Sequence, residues 1–153
     1  MKFSKIIFMV LLVAFVGIQF IPTKRNKSNY ATSTDFMLVY DVPTELKLKI
    51  KVSCYDCHSN NTNYPWCNKI QPIAWILENH INEGKSDLNF SDWGNYSDRR
   101  KKSKLKSIIS QINDEKMPLA SYTIIHGDAK FSDFDKKNMI DWIDSLNSKK
   151  IAK

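Results

Sequence analysis

Two hydrophobic patterns follow one another along this chain of 153 residues, one without a polar face and one strongly amphipathic. After Lys2 and Lys5 the chain runs from Ile6 to Ile21 (IIFMVLLVAFVGIQFI) with Gln19 as its only polar side chain, and Pro22, Lys24 and Arg25 close it. A helix that is apolar all round is at home in a bilayer rather than against one side of a core. As a helix the run reaches about 24 Å against a hydrocarbon thickness of about 30 Å, with Phe3 and the flanking lysines extending it. Ile21, Pro22, Thr23 and Lys24 offer no small-x-small cleavage site. The expectation is therefore an uncleaved signal anchor over residues 1–22, a single N-terminal transmembrane helix. Residues 23–42 are polar apart from the island Phe36 to Val39 and read as a linker, which puts the folded domain at 43–153.

Past Pro43, Leu46, Leu48, Ile50 and Val52 alternate with lysines as a strand would. The same stretch also sets Leu46, Ile50, Ser53, Cys54 and Cys57 on one side of a helix, so periodicity alone leaves both readings open. From Pro72 to Gly84 the apolar stripe Ile73, Ala74, Leu77 and Ile81 predicts a helix, with Pro72 at its first position and Gly84 at its C-cap. Ser97 or Asp98 caps a further helix with the stripe Leu105, Ile108, Ile109 and Ile112, ending before Met117 and Pro118. Ser132 followed by Asp135 is a variant capping box for a last helix with Met139, Trp142, Ile143 and Leu146 inward. The predicted class is all-α: about four short helices joined by long aromatic-rich connections, a small core for this length.

Charge changes the picture less than its total implies. The net formal charge is +7, from 23 Lys and Arg against 16 Asp and Glu. Five of those cations lie in the first 27 residues, which hold no acid, so the remainder is close to neutral and no nucleic-acid partner is expected. Arg99, Arg100, Lys101, Lys102, Lys104 and Lys106 cluster within eight residues. Such a run is most often a solvated helix face, and its functional reading is a docking patch for an acidic redox partner or anionic headgroups.

Three cysteines are too few for a disulfide framework, and their spacing matters more than their number. Cys54, Tyr55, Asp56, Cys57 and His58 form C-x-x-C-H, the attachment sequence of c-type haem. Two thiols three positions apart can each add to a vinyl group on one side of a porphyrin, and the adjacent imidazole then reaches the iron. A thioredoxin-like dithiol would follow a strand in a βαβ unit, which is missing, and a structural zinc site would need two more closely spaced ligands than Cys67, His80 and His126 provide. A covalent haem c also supplies the missing core.

Residues 43 to 147 resemble the small bacterial haem-binding domain family within the cytochrome c superfamily, membrane-anchored proteins that carry one C-x-x-C-H. The resemblance rests on Ser53 to Asn61 (SCYDCHSNN), Tyr64 to Trp66, Ile70 to Trp75 (IQPIAW), His80 to Gly84 (HINEG), Leu88 to Trp93 (LNFSDW), Met117 with Pro118, and Tyr122 to Ala129 (YTIIHGDA). It implies a cytochrome c-like fold around one covalently attached haem c and favours the helix over the strand at residues 44 to 54. Cys67 departs from the aromatic residue expected after Tyr-Pro-Trp and reads as an inert buried thiol. In cytochromes c a Met-Pro pair in a loop after a helix commonly supplies the thioether opposite the histidine, so the resemblance makes Met117 the second axial ligand beside His58. His80 reads as a core histidine and His126 as a loop residue, each a lesser candidate for the iron.

The function expected from these residues is a monohaem c-type cytochrome, a membrane-tethered single-electron carrier of the bacterial cell envelope with its haem domain on the periplasmic side, passing electrons between redox partner proteins. The alternative is a haem-based ligand-binding or sensing module for a gas or peroxide, with the sixth iron position open or weakly held. No acid/base pair or nucleophile triad stands beside the motif, so an enzyme is not expected.

Overall fold

A computed structural model describes residues 2–28 and 32–149, and among them every regular element is helical. The parts of the expected linker and domain at 29–31 and 150–153 lie outside the described residues. The helices are α1 (Lys2–Ile18), α2 (Phe36–Val39), α3 (Thr44–Ile50), α4 (Ile73–Asp87), α5 (Asp98–Asn113), α6 (Ala120–Thr123) and α7 (Asp133–Lys149). Helix α3 does not stop at Ile50 but runs through a π-helical turn, Lys51–Tyr55, into a final turn at Asp56–His58.

Helix α1 has 17 residues and therefore reaches about 26 Å. Its apolar side chains are exposed on every side, from Phe3 and Phe8 to Val13 and Val16. No helix among the described residues is long and apolar enough to cross a membrane, which corrects the expected transmembrane helix over 1–22. The physical reason lies at Gln19, where the helix has ended and the side chain turns toward the domain: Gln19 Nε2 donates to Gln71 O (3.1 Å), and Gln71 N–H donates to Gln19 Oε1 (2.9 Å).

The segment expected to be a linker is likewise packed. Phe36 is 2% exposed and sits edge-on to Phe90, Trp93 and Trp142, with ring centroids 5.0, 4.9 and 5.8 Å away. Asp35 caps its short helix by accepting from Met37 N–H (2.9 Å), and Val42 is buried beside it. The core thus begins before Pro43.

In α3, Leu46 and Ile50 are buried whereas Leu48 is 67% exposed, the outcome the helical reading requires and the alternating one forbids. Leu105 and Ile112 of α5 meet Met139 and Ile143 of α7 in the same core. The capping box forms as expected: Asp135 N–H donates to Ser132 Oγ (3.1 Å) and Ser132 N–H donates to Asp135 Oδ2 (3.0 Å). Helix α4 runs one turn past Gly84, which is therefore not its C-cap but an interior residue with a different task.

Candidate haem site

The attachment motif lies on the last two turns that follow α3, where the π-helical turn adds a residue before the second cysteine. Ser53 anchors the turn from below, its hydroxyl donating to Ala129 O (2.7 Å) from a buried position. Tyr122 holds the other side, its hydroxyl in reach of both Asp56 Oδ2 (2.8 Å) and Val52 O (2.9 Å). That hydroxyl carries one proton, so it donates to one of the two at a time. Burial and the bond to Asp56 push the Tyr122 phenol above its ordinary range, which keeps it a donor at any physiological pH.

Gly84 brings α4 against the motif. A Cβ at this position would stand 2.9 Å from Cys57 O and 3.4 Å from both Cys57 Cβ and His58 Cε1, so only glycine allows the two backbones this close. The approach places two carbonyls around one nitrogen: His58 Nδ1 lies 2.9 Å from Gly84 O and 3.0 Å from Leu88 O. Both are acceptors, so Nδ1 must carry the proton and donate, which leaves the Nε2 lone pair for a metal. A second partner that fixes tautomer and ring orientation is what an axial histidine needs.

Two cavities open beside this histidine. One, with about 730 Å³ of empty space, has walls that include Cys54, Leu88, Phe90, Ile108, Ile112 and Phe131. The other, with about 940 Å³, is bounded by Cys57, His80, Glu83, Leu119 and Tyr122 among others. Ser53, His58, Asp87, Met117 and Pro118 line both, so the pair forms one cleft with the motif on its floor. The residues fit a haem: two thiols on adjacent parts of one wall, a tautomer-locked imidazole between them, a soft thioether from Met117, and apolar side chains for the ring faces. Met117 is 36% exposed on the loop between α5 and α6.

Neither thiol is shifted in the direction of a redox-active dithiol. Burial, then the neighbouring Cys57, pushes Cys54 up to about 12, and burial, then Asp56, pushes Cys57 up to about 11. Redox-active cysteines go the other way. Among the described residues no group of three or more His, Cys, Asp or Glu converges on a possible metal position.

The remaining candidates fall around the cleft rather than together. His80 lines it beside Cys57. His126 lies stacked on Tyr122 (centroids 4.3 Å apart) with Nδ1 3.3 Å from Tyr122 O, and it lines a neighbouring apolar cavity that shares Asp56, Cys57, His80, Leu119 and Tyr122 with the second of the two that form the cleft. Cys67 is 8% exposed in that neighbouring cavity's wall. The basic cluster occupies the first half of α5, where Arg100 lies over the Tyr96 ring at 4.1 Å, and Lys104 pairs with Asp87 (2.8 Å) at the cleft's rim. Sequence reasoning missed Gly84 as a spacer, Asp56 with Tyr122 as a brace, and the two carbonyls on His58. Only the glycine left a signal, and that signal reads as a helix C-cap.

Compared with known families, the chain matches the haem-binding domain over residues 13–145. The chain belongs to the haem-binding domain family. This match takes in α2 and the 3-10 turn at Phe90–Asn95 as well as the motif, so the whole packed unit, not the pentapeptide alone, carries the family's pattern. Neither the curated proteins nor the solved structures include a significant match.

Proposed function

We propose that this haem-binding domain is a monohaem c-type electron carrier, with haem c held by thioether bonds to Cys54 and Cys57 and iron ligated by His58 and Met117. The observation that carries the reading is the locked His58 ring, whose Nδ1–H is committed to Gly84 O and Leu88 O at 2.9 and 3.0 Å beside a cleft that Met117 also lines. A bound haem supplies reversible one-electron chemistry at iron. The chain's part is to hold and insulate it. Each cysteine would add its S–H across one vinyl group of the haem, sulfur to one carbon and hydrogen to the next, so attachment would consume no oxidant. Met117 would offer the iron a soft donor, which favours the ferrous state and would exclude exogenous ligands. Leu88, Phe90, Ile112 and Phe131, apolar walls of the cleft, would keep water from a bound haem.

In this reading α1 tethers the domain to a bacterial membrane, with the domain on the periplasmic side where such attachment takes place. Arg99, Lys102 and Lys106, exposed on α5, offer acidic redox partners a docking face. The absorption spectrum of the purified reduced protein, with and without carbon monoxide, is the test. A low-spin spectrum unmoved by carbon monoxide supports the carrier. Ready binding of carbon monoxide would favour a gas- or peroxide-binding module, a reading that the exposure of Met117 makes the second choice.

A further inference from the structure

Helix α5 turns two stripes toward the cleft. Ile108 and Ile112 form the apolar one. Beside it Lys104, Ser107 and Gln111 line the same cavity, at spacings of three and four residues that keep them on one face over two turns, about 10 Å. All three are half-buried. Lys104 departs from the solvated cluster around it, since its side chain is 20% exposed whereas Lys102 and Lys106 are open to solvent.

The polar stripe holds uncommitted donors. Lys104 has three N–H groups and gives one to Asp87 Oδ1 (2.8 Å), an acid whose side chain is 73% exposed. The side chains of Ser107 and Gln111 have no hydrogen-bond partner among the described residues. On the floor of the cleft, by contrast, Ser53 Oγ is taken by Ala129 O and His58 Nδ1 by two carbonyls.

Charge distinguishes the walls. Among the described residues that line the cleft and the apolar cavity continuous with it, Lys104 is the single lysine or arginine. The acids Asp56, Glu83 and Asp87 all lie on the motif or on α4. A haem brings two propionate carboxylates, on the ring edge away from the vinyl groups that a C-x-x-C-H motif engages. They therefore fall on a wall other than the motif's. Helix α4 offers His80 together with two carboxylates, and α6 offers Tyr122, whose hydroxyl is engaged by Asp56 and Val52 O. Only α5 presents donors without an acid. Like charges repel more strongly in a half-buried cleft than in water, and an ammonium or amide N–H forms a charge-assisted bond to a carboxylate there.

We propose that the Lys104, Ser107 and Gln111 stripe of α5 is the subsite for the haem propionates, with Lys104 bridging a propionate and Asp87. The proposal rests on the cleft holding haem, and on neither Met117 ligation nor the role of α1.

The test is zero-length coupling of the full-chain holoprotein with a water-soluble carbodiimide, which joins an ammonium to a carboxylate in contact with it through an amide bond, with loss of one water. Digestion and mass spectrometry should find haem joined to Lys104 in the α5 peptide. Lys104→Arg, whose guanidinium does not couple, should lose that product and keep the reduction potential close to the parent's. Lys104→Met should lose the product and lower the potential, because removing a positive charge beside the ring favours ferric iron. An unmoved potential in Lys104→Met overturns the subsite. So does coupling of Lys104 to Asp87 alone while the propionates react with an added amine, glycine ethyl ester; haem binding then still stands. Denaturing electrophoresis before coupling reports thioether attachment separately, since haem lost at that stage would still be carried by Lys104 after coupling. A chain that binds no haem removes the haem reading and the subsite together.

Discussion

Replacing Gly84 with alanine sets two opposed effects against each other at one methyl group. In an open helix interior the change stabilises by about 1 kcal/mol, because alanine has the better helix propensity. Here the new Cβ would lie 2.9 Å from Cys57 O, a backbone atom with no rotamer to move, and 3.4 Å from His58 Cε1. Overpacking of this kind costs about 1–3 kcal/mol. The expected net is a destabilisation of about 1 kcal/mol, or a fall in Tm of about 3 °C for a chain of this size. The spectrum should change with it, since separating α4 from the motif lengthens the bond from His58 Nδ1 to Gly84 O and loosens the imidazole that it orients. Thermal unfolding of the holoprotein followed at the Soret band measures both. Gly127, with nothing within 4 Å of its added Cβ, is the control, and Gly127→Ala should leave the spectrum unchanged. A Tm for Gly84→Ala about 3 °C above the unmodified protein, with the same spectrum, would refute the spacer role.

Met117→Ala should open the iron to carbon monoxide and lower the reduction potential while haem stays bound through Cys54 and Cys57 after denaturing electrophoresis; an unchanged spectrum would remove Met117 from the ligand set. Phe36→Ala should cost about 3–5 kcal/mol in denaturant titrations, where a true linker residue would be neutral. Ser132→Ala should cost about 1 kcal/mol through loss of the α7 cap. Asp135 adds a pH dependence: the Ser132 backbone N–H first, then the Ser132 hydroxyl and Lys49, hold its carboxyl below the usual range. Its contribution is fully present above the unfolded value near pH 4 and is lost as pH falls through the lower folded value, so the stability gap between Ser132→Ala and the parent should narrow on acidification past about pH 4.

Helices α5 and α7 were legible because each has one apolar stripe at helical spacing packed on the core, and α4 because its stripe holds the buried Ala74 and Ile81. The stretch from Leu46 to Val52 was ambiguous because lysines interleave its apolar residues at every second position, and only burial of Leu46 and Ile50 with exposure of Leu48 separates the two patterns. Phe36 was missed as core because its partners, Phe90, Trp93 and Trp142, lie far along the chain, where no local period can announce them. Gly84 was read from local propensity as a helix end, and its actual role is set by a neighbour in space. At the site, the attachment motif was plain in the sequence, while the partners of His58 were invisible for a simple reason: they are backbone carbonyls, which every residue has. The extent of the apolar run was also plain, but not where its helix ends, since that depends on what Gln19 finds to bond with.

The π-helical turn at Lys51–Tyr55 has a consequence for how this chain tolerates length changes. One residue in a helix corresponds to about 100° of rotation, so deleting Val52 would regularise the helix and at the same time swing Cys57 and His58 a quarter turn or more away from Gly84. Helix α3 would keep its buried face, Leu46 and Ile50, and lose only the aim of the residues beyond it. The turn acts as a gear between a part of the chain that answers to packing and a part that answers to the cofactor. Substitutions on either side can then be accepted independently, but a single insertion or deletion between Ile50 and Cys54 cannot.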